Sequence, residues 1–186
     1  QADAKLPMNI GVGAQYAYLA AVGSVKEAIA ASATNDYKTD AYAVQATYSI
    51  AGVDLAAAYS SVSEGTLAAA NVATAGKKTK LYTASILADG TLAALPGVNS
   101  WKLSANTKLA GFDLGASYGH YDAKENEKGF LFNRTASQTF KSSEIDLSVG
   151  TKIDEVNVVA YYLNQQDFNA GKQDRQAVRV VASINF

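Results

Sequence analysis

The chain has 186 residues, 16 Lys and Arg against 17 Asp and Glu, 11 tyrosines, 14 glycines, two prolines and no cysteine. That length points to one domain; the near-neutral charge supplies no basic field for nucleic acid; the missing thiols exclude cysteine chemistry and Cys-based zinc sites. Mean hydropathy is near zero, and no apolar run reaches the roughly 18 residues of a membrane helix, yet alternating membrane strands also average to neutral.

Residues 1–7 read as a leader into the first strand. No initiating methionine precedes Gln1, so Gln1 reads as either a processed end or the cut end of something longer. From Met8 the chain alternates: Met8, Ile10, Val12, Ala14, Tyr16 and Tyr18 share one face, against Asn9, Gly11, Gly13, Gln15 and Ala17. A loop follows over about 20–37, where residues 25–33 suit a short helix. The second strand sets Tyr42, Val44, Ala46, Tyr48 and Ile50 on the same kind of face. Ala51-Gly52 turns into a third strand, with Val53, Leu55, Ala57 and Tyr59 opposite Asp54, Ala56, Ala58 and Ser60.

Residues 62–98 form a long Ala-, Gly-, Lys- and Thr-rich segment, read as one loop, either extracellular or folded inward. Alternation returns with Trp101, Leu103, Ala105, Thr107 and Leu109, then the Ala110-Gly111 turn, then Phe112, Leu114, Ala116 and Tyr118. A polar loop over about 122–141 carries the apolar Phe130-Leu131-Phe132. Ile145, Leu147, Val149 and Thr151 follow, a turn at Ile153-Asp154-Glu155, and then Val156, Val158, Ala160 and Tyr162. After a short loop at 167–173 the last strand places Val178, Val180, Ala182, Ile184 and Phe186 on one face, with Arg179 on the other.

Short turns and long connections alternate. With 80–87 kept out of the strand count, this gives about eight antiparallel strands and both termini on the short-turn side. An even strand number with short turns at one rim is the plan of a bacterial outer-membrane β-barrel. The expected fold class is therefore all-β, an antiparallel transmembrane barrel. Its charges stand opposite the apolar face: Lys102, Lys108, Asp113, Glu144, Asp146, Arg175 and Arg179 are the candidate pore-lining residues. Tyr18, Tyr42, Tyr59, Trp101, Tyr118 and Tyr162 toward the long loops, and Tyr48, Phe112 and Phe186 toward the short turns, are the candidate membrane-interface aromatics.

The terminal Val178-Arg-Val-Val-Ala-Ser-Ile-Asn-Phe186 resembles the closing strand of outer-membrane proteins. The strand-Ala-Gly-strand unit around Ala110-Gly111 is similar to late strands of large general porins, nearest the Campylobacter-type major outer-membrane porin and then OprD-like porins. The resemblance implies a water-filled channel for passive diffusion of ions and small hydrophilic solutes, without cofactor. It implies outer-membrane lipid and lipopolysaccharide as surroundings, the barrel-assembly machinery as reader of the last strand, and either a homotrimer or the remaining strands of a larger barrel as partners. Such porins have about 16 to 18 strands. Small inward residues, among them Gly11, Gly13, Ala56, Gly115 and Gly119, fit a wide watered lumen better than the filled one of an eight-stranded barrel. The alternative is a small closed barrel with a structural or adhesive role through its loops.

No catalytic constellation is legible. His120, the single histidine, stands at a strand end without triad partners, and Asp89 alone falls far short of the six to eight oxygens that calcium takes. Neither a catalytic nor a metal site is expected. Asn133-Arg134-Thr135 matches a glycosylation acceptor by pattern only.

Overall fold

The computed structural model describes residues 1–30, 38–65, 67–69, 80–123, 140–167 and 174–184; for Val25, Ala28, Ala30 and Phe140 it gives the backbone. Phe186, the Phe130-Leu131-Phe132 cluster and the Asn133-Arg134-Thr135 pattern lie outside the described residues.

Nine antiparallel strands form one sheet in chain order: β1 Ala2–Leu6, β2 Ile10–Ala20, β3 Lys38–Ile50, β4 Val53–Val62, β5 Val98–Leu109, β6 Phe112–Ala123, β7 Phe140–Ile153, β8 Val156–Asp167 and β9 Arg175–Ile184. Among the described residues two helices lie between strands, α1 Gly23–Ala30 and the short α2 Thr91–Ala94. No described helix is long and apolar enough to cross a membrane.

The expected count of about eight becomes nine because residues 2–6 are a strand and not a leader. Ala2, Ala4 and Leu6 register with Ala14, Val12 and Ile10, while Asp3 and Lys5 register with Gly13 and Gly11. The alternation is present in the sequence, but alanine marks the apolar face too weakly to announce it. Pro7, Met8 and Asn9 then form the connection to β2, with Met8 and Asn9 at φ 63° and 57°, so the second strand begins at Ile10 and not at Met8. The extra strand also moves a terminus. Gln1 lies at the long-loop rim and Ile184 near the short-turn rim, in place of both ends on the short-turn side.

Three further short turns follow, and two of them share one cause. Ala51-Gly52, Ala110-Gly111 and Asp154-Glu155 each join strands through two residues, and the first two have φ above zero at both positions, 50° and 79°, then 50° and 85°. That left-handed pair matches the twist of a hairpin, and glycine takes its half without steric cost.

The eight ladders keep the two faces separate over the whole sheet. One row of register partners on the polar face runs Asp3, Gly13, Gln45, Ala58, Lys102, Gly119, Glu144, Gln165, Arg175. The next rows on that face carry Thr47, Ala56, Ser104, Ser117 and Asp146, then Asp54, Asn106, Gly115, Ser148, Tyr161 and Arg179. The opposite face is apolar and uncovered: Val44, Leu103 and Leu147 are 50, 51 and 47% exposed. What core exists lies on the polar face near the long-loop rim. Ala41, Ala43, Val62, Ala69 and Leu81 cluster there, as do Ala93, Val98, Tyr121 and Ala123.

Candidate functional site

The core is on the polar face because the long connection between β4 and β5 folds onto it. Residues 80–97 hold turns and α2 instead of a strand, and they lie across the wall built by β1, β2, β4, β5, β6 and β7. The described part of this loop, residues 80–97, lies against the polar face of the sheet.

Four side chains of the wall hold the backbone of this segment, and a fifth meets one of its hydroxyls. Glu144 on β7 accepts hydrogen bonds through Oε1 from the N–H groups of Ile86 (2.6 Å) and Leu87 (3.0 Å). Lys102 on β5 donates through Nζ to the carbonyl of Ala84 at 2.9 Å. Tyr121 on β6 donates its hydroxyl to the carbonyl of Thr83 at 3.0 Å. Gln15 on β2 reads both polarities, donating through Nε2 to the Lys80 carbonyl and accepting through Oε1 from Tyr82 N–H, each at 3.0 Å. Ser60 on β4 meets the Thr83 hydroxyl at 2.5 Å. A turn-rich segment cannot satisfy its own backbone as a helix or ladder does, so these donors and acceptors replace water as partners.

One of the charges that hold the loop, Lys102, also meets a second carboxylate of β7. Lys102 Nζ is 3.6 Å from Asp146 Oδ2, which accepts a hydrogen bond from the Ser117 hydroxyl at 2.8 Å. Glu144 and Asp146 are both buried, two residues apart on one face of β7. Glu144 Oε2 and Asp146 Oδ1 have no hydrogen-bond partner among the described residues. Between loop and wall lies a polar cavity of about 290 Å³ whose lining includes Tyr82, Lys102, Asn106, Ser117, Asp146 and Ser148.

Glycine makes room for the clasp at two positions. A Cβ on Gly119 would sit 2.5 Å from the Tyr121 hydroxyl oxygen, so the tyrosine lies over the glycine to reach the loop. Gly13 likewise gives way to Tyr82, whose hydroxyl donates to Asp3 at 2.5 Å. Tyr82 lies outside the strands, and its phenol is pushed up to about 12, first by desolvation and then by the hydrogen bond to Asp3.

The seven expected wall charges are thus divided. Lys102, Glu144 and Asp146 come together under the loop. Lys108 and Asp113 pair with each other at 2.8 Å across the Ala110-Gly111 turn, exposed at the short-turn rim. Arg175 and Arg179 are exposed on β9 beyond Gln165 and Tyr161, outside the cluster. Of the aromatics, Tyr18, Tyr42, Tyr48, Tyr59, Trp101, Phe112 and Tyr162 are exposed on the apolar face and Tyr118 is half-buried there. Trp101 packs on Tyr118 and Tyr42 on Tyr59. Tyr118 and Tyr162 stand nearer the middle of β6 and β8 than their ends. Asp89 is ion-paired with Lys80, and His120 packs on Trp101. No group of three or more potential metal ligands occurs among the described residues.

Sequence reasoning passed over Gln15, Tyr121 and Tyr82, which carry no charge at neutral pH. The available signal was size: Gln15 and Tyr121 are large polar residues on a face rich in glycine, alanine and serine. No protein-family model matches the chain, and no curated protein matches it.

Proposed function

We propose that the chain is the wall of a bacterial outer-membrane porin: a channel through which ions and small hydrophilic solutes diffuse passively. The observation that carries this reading is the half-exposed apolar face across the sheet, backed by a polar face with charges and an inward-folded loop. A soluble sheet would cover Val44, Leu103 and Leu147 as a core, because water meets contiguous apolar patches this wide at a large free-energy cost. In a bilayer the same face meets hydrocarbon, and the exposed tyrosines and Trp101 meet the headgroups.

On the other face, residues 80–97 narrow the lumen, and Lys102, Asp146 and the polar cavity beside them set the local field that a permeating ion meets. The channel is passive, with no catalytic step. Lipid and lipopolysaccharide surround it, the barrel-assembly machinery reads its last strand, and further strands or copies complete the assembly. The structural or adhesive alternative, a small closed barrel, calls for a lumen filled by side chains alone. The loop segment occupying that space disfavours it.

Conductance tests the reading. The protein is purified from outer membranes in detergent, the intact species is weighed, and the same sample is added to a planar bilayer. Large, weakly selective steps from a species heavier than 19.5 kDa are expected. A lone 19.5 kDa species without conductance removes the channel.

A further inference from the structure

The floor of the polar cavity is two neighbouring rows of register partners on β5, β6 and β7: Ser104, Ser117 and Asp146, then Asn106, Gly115 and Ser148. Strands lie about 4.8 Å apart and alternate residues about 7 Å along a strand, so the six positions span a patch of about 7 by 10 Å. That is the breadth of a monosaccharide ring. Apart from the glycine, every side chain in the patch is short and hydrogen-bonding.

Gly115 sets the depth. A Cβ there would stand 2.5 Å from Ser148 Oγ and 2.8 Å from Asn106 Oδ1, so both polar groups lean over the glycine, and a larger residue would displace them. Tyr82 and Ile86 close the loop side, with the Tyr82 hydroxyl engaged by Asp3. Hydroxyl and amide groups on the wall thus face the apolar bodies of a tyrosine and an isoleucine on the loop.

Charge and size narrow the occupant. Lys102 and Asp146 stand 3.6 Å apart in the lining, so the site is formally neutral. A further cation would approach the Lys102 ammonium and an anion the Asp146 carboxylate, each at a like-charge cost. Asp146 is 4% exposed, and its Oδ1 has no partner among the described residues, whereas Oδ2 is engaged by Ser117 and Lys102. A buried acceptor of this kind calls for a donor. The volume of about 290 Å³ is roughly ten times the share of one water, too much for a single ion.

We infer that this cavity is a binding subsite for a neutral polyhydroxy solute of monosaccharide size. Its hydroxyls donate to Asp146 and exchange hydrogen bonds with Ser148 and Asn106, while its C–H face lies against Tyr82 and Ile86. Such a solute brings donors and acceptors together without a net charge, which suits the Lys102–Asp146 pair. The inference names a solute class for the porin reading and rests on it: ions pass, and this solute is held briefly on its way.

The probe is D-glucose, added to the full chain purified in an amine-oxide detergent that carries no sugar headgroup. Saturation-transfer NMR reads binding without needing a conducting channel. A saturable signal from the glucose C–H protons is expected, with a dissociation constant on the order of 1–10 mM. Gly115→Ala, which displaces Ser148 and Asn106, and Asp146→Asn, which removes the charged acceptor, should each weaken binding about tenfold. Ser148→Ala, the mildest change, should weaken it about threefold and carries the test where another variant loses its far-UV circular dichroism. Absence of a saturable glucose signal in the unsubstituted protein overturns the inference, as does equal affinity in every folded variant. Displacement of glucose by an equal concentration of methylammonium chloride would assign the site to a cation and overturn it as well. Glucose binding by a species that gives no conductance in a planar bilayer keeps the subsite and removes the channel. Conductance without glucose binding does the reverse, so the two readings fail separately.

Discussion

One carboxylate oxygen of Glu144 carries two consecutive backbone N–H groups of the 80–97 segment, at 2.6 and 3.0 Å. Glu144→Ala leaves both donors without that acceptor, and a loss of roughly 2–3 kcal/mol is expected from the charge-assisted bonds removed. Glu144→Gln keeps an acceptor oxygen and should lose less than half of that. Urea unfolding in detergent measures the stabilities, and protease cleavage within 80–97 should accelerate for the alanine variant first. Equal losses in the two variants would assign the role to charge and not to geometry. Tyr82 adds a pH dependence. Its folded-state value of about 12 exceeds the ordinary 10 of a tyrosine, so the docked loop disfavours the phenolate. The contribution is fully present below pH 10 and is lost as the pH rises from 10 through 12. A spectrophotometric phenolate titration, differenced against Tyr82→Phe, should show one tyrosine fewer in that upper window. Lys102 and Glu144 were legible as site residues because a charge on a glycine- and serine-rich face is conspicuous. The fact that they grip a loop was not, since the partners are backbone groups that any sequence supplies.

At the scale of elements, the hairpin turns carry an avoidable strain. Ala110 sits at φ 50°, where its Cβ crowds the carbonyl, while Gly111 beside it does not. Asparagine tolerates the left-handed region, and Asn-Gly is the favoured pair for this turn. Ala110→Asn should therefore stabilise the β5–β6 hairpin by about 0.5–1 kcal/mol. Gly111→Ala should destabilise it by a similar amount, both read as shifts of the urea midpoint. An unchanged midpoint for both would mean that the turn adopts another geometry in the membrane. The strands themselves were legible wherever Val, Leu, Ile and Tyr mark every second residue, as in β5 to β8. β1 was not, because two alanines and one leucine over five residues give a weak period. That one omission changed the strand parity and with it the predicted side of Gln1.

Across the whole molecule, the decisive quantity is the cost of a charge on each face. Leu103 lies mid-strand on the apolar face, in register with Ala57 and Tyr118, and is 51% exposed. Asn106 lies three positions further along the same strand, exposed on the polar face between Asp54 and Gly115. If the apolar face meets hydrocarbon, Leu103→Arg places a guanidinium near the bilayer midplane at a cost of about 2–4 kcal/mol. Asn106→Arg places the same group in a hydrated lumen at a cost near zero, and shifts the channel toward anions by adding positive charge to the wall. Folding yield into lipid vesicles, followed by urea titration, should separate the two by that margin. Reversal potentials under a salt gradient should move only for Asn106→Arg. Were the apolar face exposed to water instead, Leu103→Arg would relieve an apolar surface, raise solubility without detergent and leave stability unchanged. A loss of about 2–4 kcal/mol in one case and none in the other makes this pair the sharpest discriminator between a membrane wall and a soluble sheet.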